Sequence, residues 1–97
     1  MDFAEILQWT AQTFGPAQAE TYAETLSLAI EALSEGPQVL GAKARDEILS
    51  DIRTLHVSRQ GRKGRHFVVY RSRPGQIIEV LRLLHDSMDM VRHLPAG

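Results

Sequence analysis

The residues of this chain best suited to chemistry are cations and histidines gathered in its second half. Arg65, Arg71 and Arg82 fall on neighbouring strand-like runs, with Lys63 and His66 close by in sequence. Guanidinium groups stabilise negative charge developing on a phosphorus centre, and a histidine moves protons near neutral pH. Together they could cut a phosphodiester, with Arg65, His66, Arg71 and Arg82 as the catalytic set. The plainer alternative is a basic patch that faces phosphate or an acidic protein and transfers no proton. A second constellation is His85, Asp89 and His93, which would align at i, i+4 and i+8 on a continuous helix and could grip a cation. His85 directly follows a strand-like run, however, and Asp89 serves more simply as the cap of a short final helix. No metal is therefore expected. The sequence holds no glycine-rich phosphate loop, Ser/His/Asp set or paired carboxylates, and no cysteine for thiolate or disulfide chemistry. Neither a cofactor nor a small-molecule substrate is implied.

These residues depend on two runs rich in β-branched and aromatic side chains, His66–Tyr70 and Ile77–Leu84. Arg73-Pro74-Gly75-Gln76 lies between them and reads as a tight turn of an antiparallel hairpin, proline presetting φ at the second position and glycine accepting positive φ at the third. The second run is apolar at both parities: Ile78, Val80 and Leu84 against Ile77, Leu81 and Leu83. A strand apolar on both faces needs cover on both, and a second polypeptide is the expected cover for one of them. Ile52–Arg59 alternates as a further strand, with Arg53, Leu55 and Val57 on one face. Gln60-Gly61-Arg62-Lys63-Gly64 is a turn tipped with positive charge.

The first third of the chain is helical in pattern. Phe3, Ile6, Leu7, Thr10 and Phe14 recur at three- and four-residue spacing, with Trp9 off the centre of that stripe. Gly15-Pro16 is a stop followed by a start. A second helix over residues 16–35 carries a predicted buried stripe of Ala19, Tyr22, Leu26, Ile30 and Leu33 and a wet stripe of Glu20, Glu24, Glu31 and Glu35. Thr21, Thr25, Leu28 and Ala32 form a third face of mostly small residues, which with Trp9 is the expected docking surface for a partner helix. Gly36-Pro37 ends the helix, Gln38–Ala44 reads as loop, and Asp46–Ser50 as a single helical turn. The layout predicts an α+β fold over residues 1–97: a helical hairpin (1–35) on a three-stranded antiparallel sheet (52–84), then a capped, helical tail (85–97).

Charge is divided sharply along the chain. Residues 1–42 contain six acids and no Lys or Arg, while residues 43–97 contain all eleven basic residues and six acids, so the net −1 combines −6 with +5. Between Ile52 and Ile78 there is no acid. Arg59, Arg62, Lys63, Arg65, Arg71 and Arg73 form the expected footprint for an acidic target. No apolar run reaches membrane-spanning length, and no leader-like segment opens the chain. A cytoplasmic protein without direct membrane contact is expected.

Several stretches carry a resemblance. Asp2-Phe3 to Thr10 with Phe14-Gly15, then Gln18-Ala19, Tyr22, Leu33, Pro37 and Gly41, are similar to the first half of ParE-type members of the ParE/RelE toxin superfamily. Arg65-His66, Tyr70-Arg71, the run Val80–Asp89 containing "LHDSMD", and Arg92-His93-Leu94 resemble the end of the same proteins. In that pattern His85, Asp86, Met88 and Asp89 are motif positions with a structural role. The resemblance implies the toxin of a type II toxin–antitoxin pair that inhibits DNA gyrase by binding, performs no chemistry, and is neutralised in a hetero-oligomer by a ParD-like antitoxin. Two other readings stay open: a ribosome-dependent messenger-RNA endoribonuclease of the RelE type, and a non-toxic binding module on the same fold. RelE-type relatives place a tyrosine at the extreme C-terminus, whereas this tail reads Arg92-His93-Leu94-Pro95-Ala96-Gly97. Family members also usually open with a strand before the first helix, and no such strand is predicted here.

Overall fold

The computed structural model describes residues 2–46, 50–75 and 77–87. Two helices, α1 (Phe3–Phe14) and α2 (Pro16–Ala32), pack on an antiparallel sheet of β1 (Lys43–Ala44), β2 (Ile52–His56), β3 (His66–Arg73) and β4 (Ile77–His85), in the spatial order β1-β2-β3-β4. The α+β class and the helical hairpin are as predicted. The sheet gains a fourth strand from a stretch expected to be loop: Lys43 pairs with Thr54 and Ala44 with Arg53, and the Arg45 N–H donates to Ile52 O at 2.8 Å. Residues 47–49 of the expected helical turn, and the tail from Met88 onward, lie outside the described residues.

Local chemistry accounts for the helices. Asp2 caps α1, its carboxylate accepting the Glu5 N–H at 2.7 Å while the Glu5 carboxylate accepts the Asp2 N–H at 3.3 Å. This reciprocal box satisfies two donors that the first turn would leave unpaired. Asp2→Ala is expected to cost about 1 kcal/mol in chemical denaturation. The chain reverses at Gly15, whose N–H donates to Ala11 O at 2.9 Å, and Pro16 starts α2. Past Ala32 the helix tightens into a 3-10 turn over Leu33–Glu35.

α1 buries the stripe read from spacing except at its last turn, whereas α2 is rotated relative to its own. On α1, Ile6 and Thr10 are buried, but Phe14 is 65% exposed, because it falls on the last turn beyond the sheet's cover. On α2 the buried residues are Thr25, Leu26, Ala29 and Ala32, whereas Ala19, Tyr22 and Ile30 are only partly covered. Small side chains allow closer approach to the sheet, so the inward face is the one with the alanines. The main core joins Ile6, Leu26 and Leu33 to Leu55, Val57, Val68, Tyr70 and Leu83.

The largest departure is in β4. The register runs Val68↔Leu83 and Val69↔Arg82 but then Tyr70↔Val80, so Leu81 is an extra residue opposite the Val69–Tyr70 step. Such a bulge shifts the side-chain alternation by one. Ile78, Val80 and Leu83 therefore share the helix-facing side, and Leu81 and Leu84 the other, which exchanges Leu83 and Leu84 relative to simple parity. On that other side Ile52, Val69 and Leu84 form a second, smaller cluster with Leu81 packed against it. All three are at most 1% exposed, so this part of the flank is covered within the chain, while Ile77 on the same side of β4 is 58% exposed. At the β3–β4 turn Gly75 has φ +84°, as the predicted type II turn requires at its third position.

Candidate functional site

Alternation along β3 and β4 separates the proposed catalytic set. His66, with Val68 and Tyr70, points toward the helices; Arg71 and Arg82 lie on the opposite face. His66 is 6% exposed, and its Nδ1 is 2.5 Å from the Tyr22 hydroxyl; of the set's arginines, Arg65 shares its cleft. That hydroxyl also accepts the Arg65 N–H at 3.1 Å, which leaves its own proton for His66 Nδ1 and makes His66 the neutral Nε2–H tautomer. Burial, reinforced by the neighbouring His85 ring, lowers the His66 pKa from 6.5 to about 4. Arg71 is paired with Glu79, which Arg73 also grips. The hydrogen bonds from Arg73 and Arg71 hold the Glu79 carboxyl below its ordinary range.

The expected basic footprint is likewise divided. Arg71 and Arg73 lie at the β3–β4 turn, and Arg59, Arg62, Lys63 and Arg65 at the β2–β3 connection, roughly 20 Å away along β3 at 3.3 Å per residue. At the latter end Arg62 is tied to α2: it donates to Thr25 Oγ1 at 2.9 Å and Thr21 O at 3.1 Å and pairs with Glu24 at 3.3 Å. Arg59 reaches Leu40 O at 3.2 Å. Arg65 Nε bonds both oxygens of Asp86 at 3.0 and 3.1 Å, and His56 Nε2 bonds Asp86 Oδ2 at 3.1 Å. The bond from His56 and the Arg65 guanidinium together keep the Asp86 carboxyl below its ordinary pKa. Lys63 is exposed and makes no ion pair among the described residues.

Arg62 also determines the fate of the small-residue face of α2. Thr25 and Ala32 are buried, with the Arg62 side chain lying over Thr25 and Thr21. Of the five residues expected to receive a partner, Trp9, Thr21 and Leu28 remain exposed, and Trp9 lies on α1, away from Leu28. Trp9 is 57% exposed and meets Phe14 edge to face at 5.8 Å between ring centres. The two rings flank a cleft of about 490 Å³ between the hairpin bend and the β2–β3 connection, whose wall includes Tyr22, Gly64, Arg65 and His66. Another open hollow, about 730 Å³, lies between the end of α2 and β4 and is lined by Ile30, Leu33, Glu35, Pro37, Ile78 and Val80.

Sequence spacing could not reveal the Tyr22–His66 bond, whose partners are 44 residues apart, nor the grip of His56 and Arg65 on Asp86. The signal that existed is Gly64, between Lys63 and Arg65. A Cβ there would sit 2.4 Å from the Val57 side chain and 3.0 Å from the Tyr22 ring, so only glycine lets the strand pass beneath Tyr22. Of the motif positions, His85 ends β4, its Nδ1 accepting the Ser87 N–H at 3.2 Å, and Asp86 anchors Arg65. Met88, Asp89 and His93 lie outside the described residues.

A helical hairpin laid on an antiparallel sheet, with an aromatic cleft beside a basic connection, defines a small α+β domain whose exposed features suit binding. Residues 1–90 match the family described as "ParE toxin of type II toxin-antitoxin system, parDE". The chain is 34% identical over 90 residues to Toxin ParE1 of Mycobacterium tuberculosis (strain CDC 1551 / Oshkosh), covering 93% of this chain and 84% of that protein. It is 34% identical over 93 residues to Toxin ParE1 of Caulobacter vibrioides, covering 96% and 86%. The chain belongs to the ParE toxin family of type II toxin–antitoxin systems.

Proposed function

We propose that this toxin acts in the cytoplasm by binding DNA gyrase, without chemistry of its own, and is neutralised by a ParD-like antitoxin. Family membership over residues 1–90 is the observation that carries this reading. Geometry supports the non-catalytic part. A phosphodiester-cutting site needs its cations and its proton carrier around one phosphate. Here His66 is on the helix side of the sheet, hydrogen-bonded to Tyr22, while Arg71 and Arg82 are on the other face. Arg59, Lys63 and Arg65 form the pole that first meets the acidic gyrase–DNA complex, with Arg62 bracing their loop and Arg71 and Arg73 as a second pole.

The test is a supercoiling assay with purified chain and gyrase. Supercoiling is expected to fall as toxin is added and to recover when the ParD-like antitoxin is supplied. Unchanged supercoiling at a large excess of toxin would remove the gyrase target. Discrete new 5′ ends on cellular transcripts after induction would instead favour the endoribonuclease reading.

A further inference from the structure

We infer that the cleft between Trp9, Phe14 and the β2–β3 connection seats the antitoxin, through a segment that inserts a large apolar side chain next to one or two carboxylates. This rests on the reading above that a ParD-like antitoxin is the partner. Trp9 and Phe14 are more than half exposed and edge to face, a pair of large rings turned outward at the hairpin bend. Exposed aromatic pairs rimmed by polar groups mark interaction sites. The cleft floor is uncharged: Tyr22 and His66 satisfy one another, and burial keeps His66 neutral at physiological pH. The rim carries Lys63 and Arg65, and no carboxylate lines the cleft among the described residues.

Charge arithmetic selects peptide over nucleic acid. Arg62 is already matched by Glu24 and Arg65 by Asp86, so Lys63 is the cation with no acid beside it. A nucleic-acid backbone site engages on the order of 6–10 phosphates, which this rim cannot meet. One or two carboxylates beside an apolar anchor match it. Seated there, the antitoxin would also cover Lys63 and Arg65, the pole proposed to meet gyrase, so a single docking event would both hold the toxin and mask it.

The experiment measures affinity of the intact purified chain for its ParD-like antitoxin by calorimetry, for the wild type and for Trp9→Ala, Lys63→Glu and Ile77→Ala. Thermal melts confirm folding; Trp9, Lys63 and Ile77 are exposed, so all three variants are expected to fold. Trp9→Ala is expected to weaken binding about 30-fold. Lys63→Glu is expected to weaken it about tenfold at low salt, with the difference shrinking as salt is raised. Ile77→Ala, at the distant β3–β4 turn, is expected to bind as the wild type does. Trp9→Ala is expected still to inhibit supercoiling. Wild-type affinity in both Trp9→Ala and Lys63→Glu would overturn the inference while leaving the antitoxin reading intact. Failure of the wild type itself to bind the antitoxin would overturn both. Tight binding of a 12-nucleotide single-stranded DNA that Trp9→Ala abolishes would overturn the assignment to a peptide.

Discussion

Tyr70→Ala is expected to cost about 3–5 kcal/mol of folding stability, and Tyr70→Phe only about 1 kcal/mol. Tyr70 is the largest of the fully buried side chains, 0% exposed, and packs in the main core between the helices and the sheet. Truncating it removes a ring at the point where β3 meets its bulged partner, so the neighbours cannot simply close the gap. Its hydroxyl is the lesser contribution. It donates to Pro37 O at 2.7 Å, but Arg53 Nε donates to the same oxygen at 2.8 Å. Phenylalanine would therefore leave that carbonyl still satisfied. Against a total of about 5–15 kcal/mol for a domain of this size, the alanine variant should be marginal or unfolded at 37 °C. Urea denaturation followed by circular dichroism gives both values. Equal losses for the two variants would mean that the link to Pro37, rather than packing, dominates.

Acid should destabilise this protein well above the range in which its carboxylates titrate. His66 has a folded pKa of about 4 against 6.5 for an unperturbed imidazole. Between those values the unfolded chain takes up a proton that the folded chain refuses, so stability falls as pH is lowered. The contribution is intact above pH 6.5 and exhausted near pH 4, and amounts to about 3 kcal/mol. The structural reason is burial of the imidazole beneath α2, reinforced by the neighbouring His85 ring. Asp86 acts in the same direction but lower on the scale. Its depressed pKa contributes stability above the ordinary carboxylate range, which is lost only as pH falls through the folded value. The two are thus separable. Denaturation midpoints measured from pH 7 to pH 4 should slope steeply for the wild type and much less for His66→Gln; parallel curves would exclude His66 as the source.

Much of the architecture was legible because it was written in local punctuation. Gly15-Pro16 and Gly36-Pro37 bound the second helical segment, and Pro74-Gly75 lies between two β-branched runs, so the hairpins could be placed without any tertiary information. What failed did so where a tertiary contact overrides spacing. Thr25 and Ala32 looked like an open groove because nothing in the α2 sequence shows that Arg62, some 37 residues on, reaches back over Thr25. Phe14 kept the helical period but ran past the sheet that buries Ile6 and Thr10. A two-residue strand such as Lys43–Ala44 has too few positions to show an alternation at all. The proposed catalytic arginines shared a neighbourhood in sequence, yet a strand's period of two sent His66 and Arg71 to opposite faces. Trp9, judged off-centre from its angle on α1, is indeed more exposed than covered.

The extra residue at Leu81 makes the two halves of its strand independent in phase. Upstream of it, even-numbered side chains face the helices; downstream, odd-numbered ones do. A hydrophobic substitution tolerated at Val80 has its structural counterpart at Leu83, three positions along rather than two. Were Leu81 instead paired opposite Val69 without the bulge, Arg82 would fall opposite Val68 and be carried into the interior, and Leu83 would be turned out of it. The bulge, by setting residue 81 aside from the pairing, therefore keeps an arginine wet and a leucine dry.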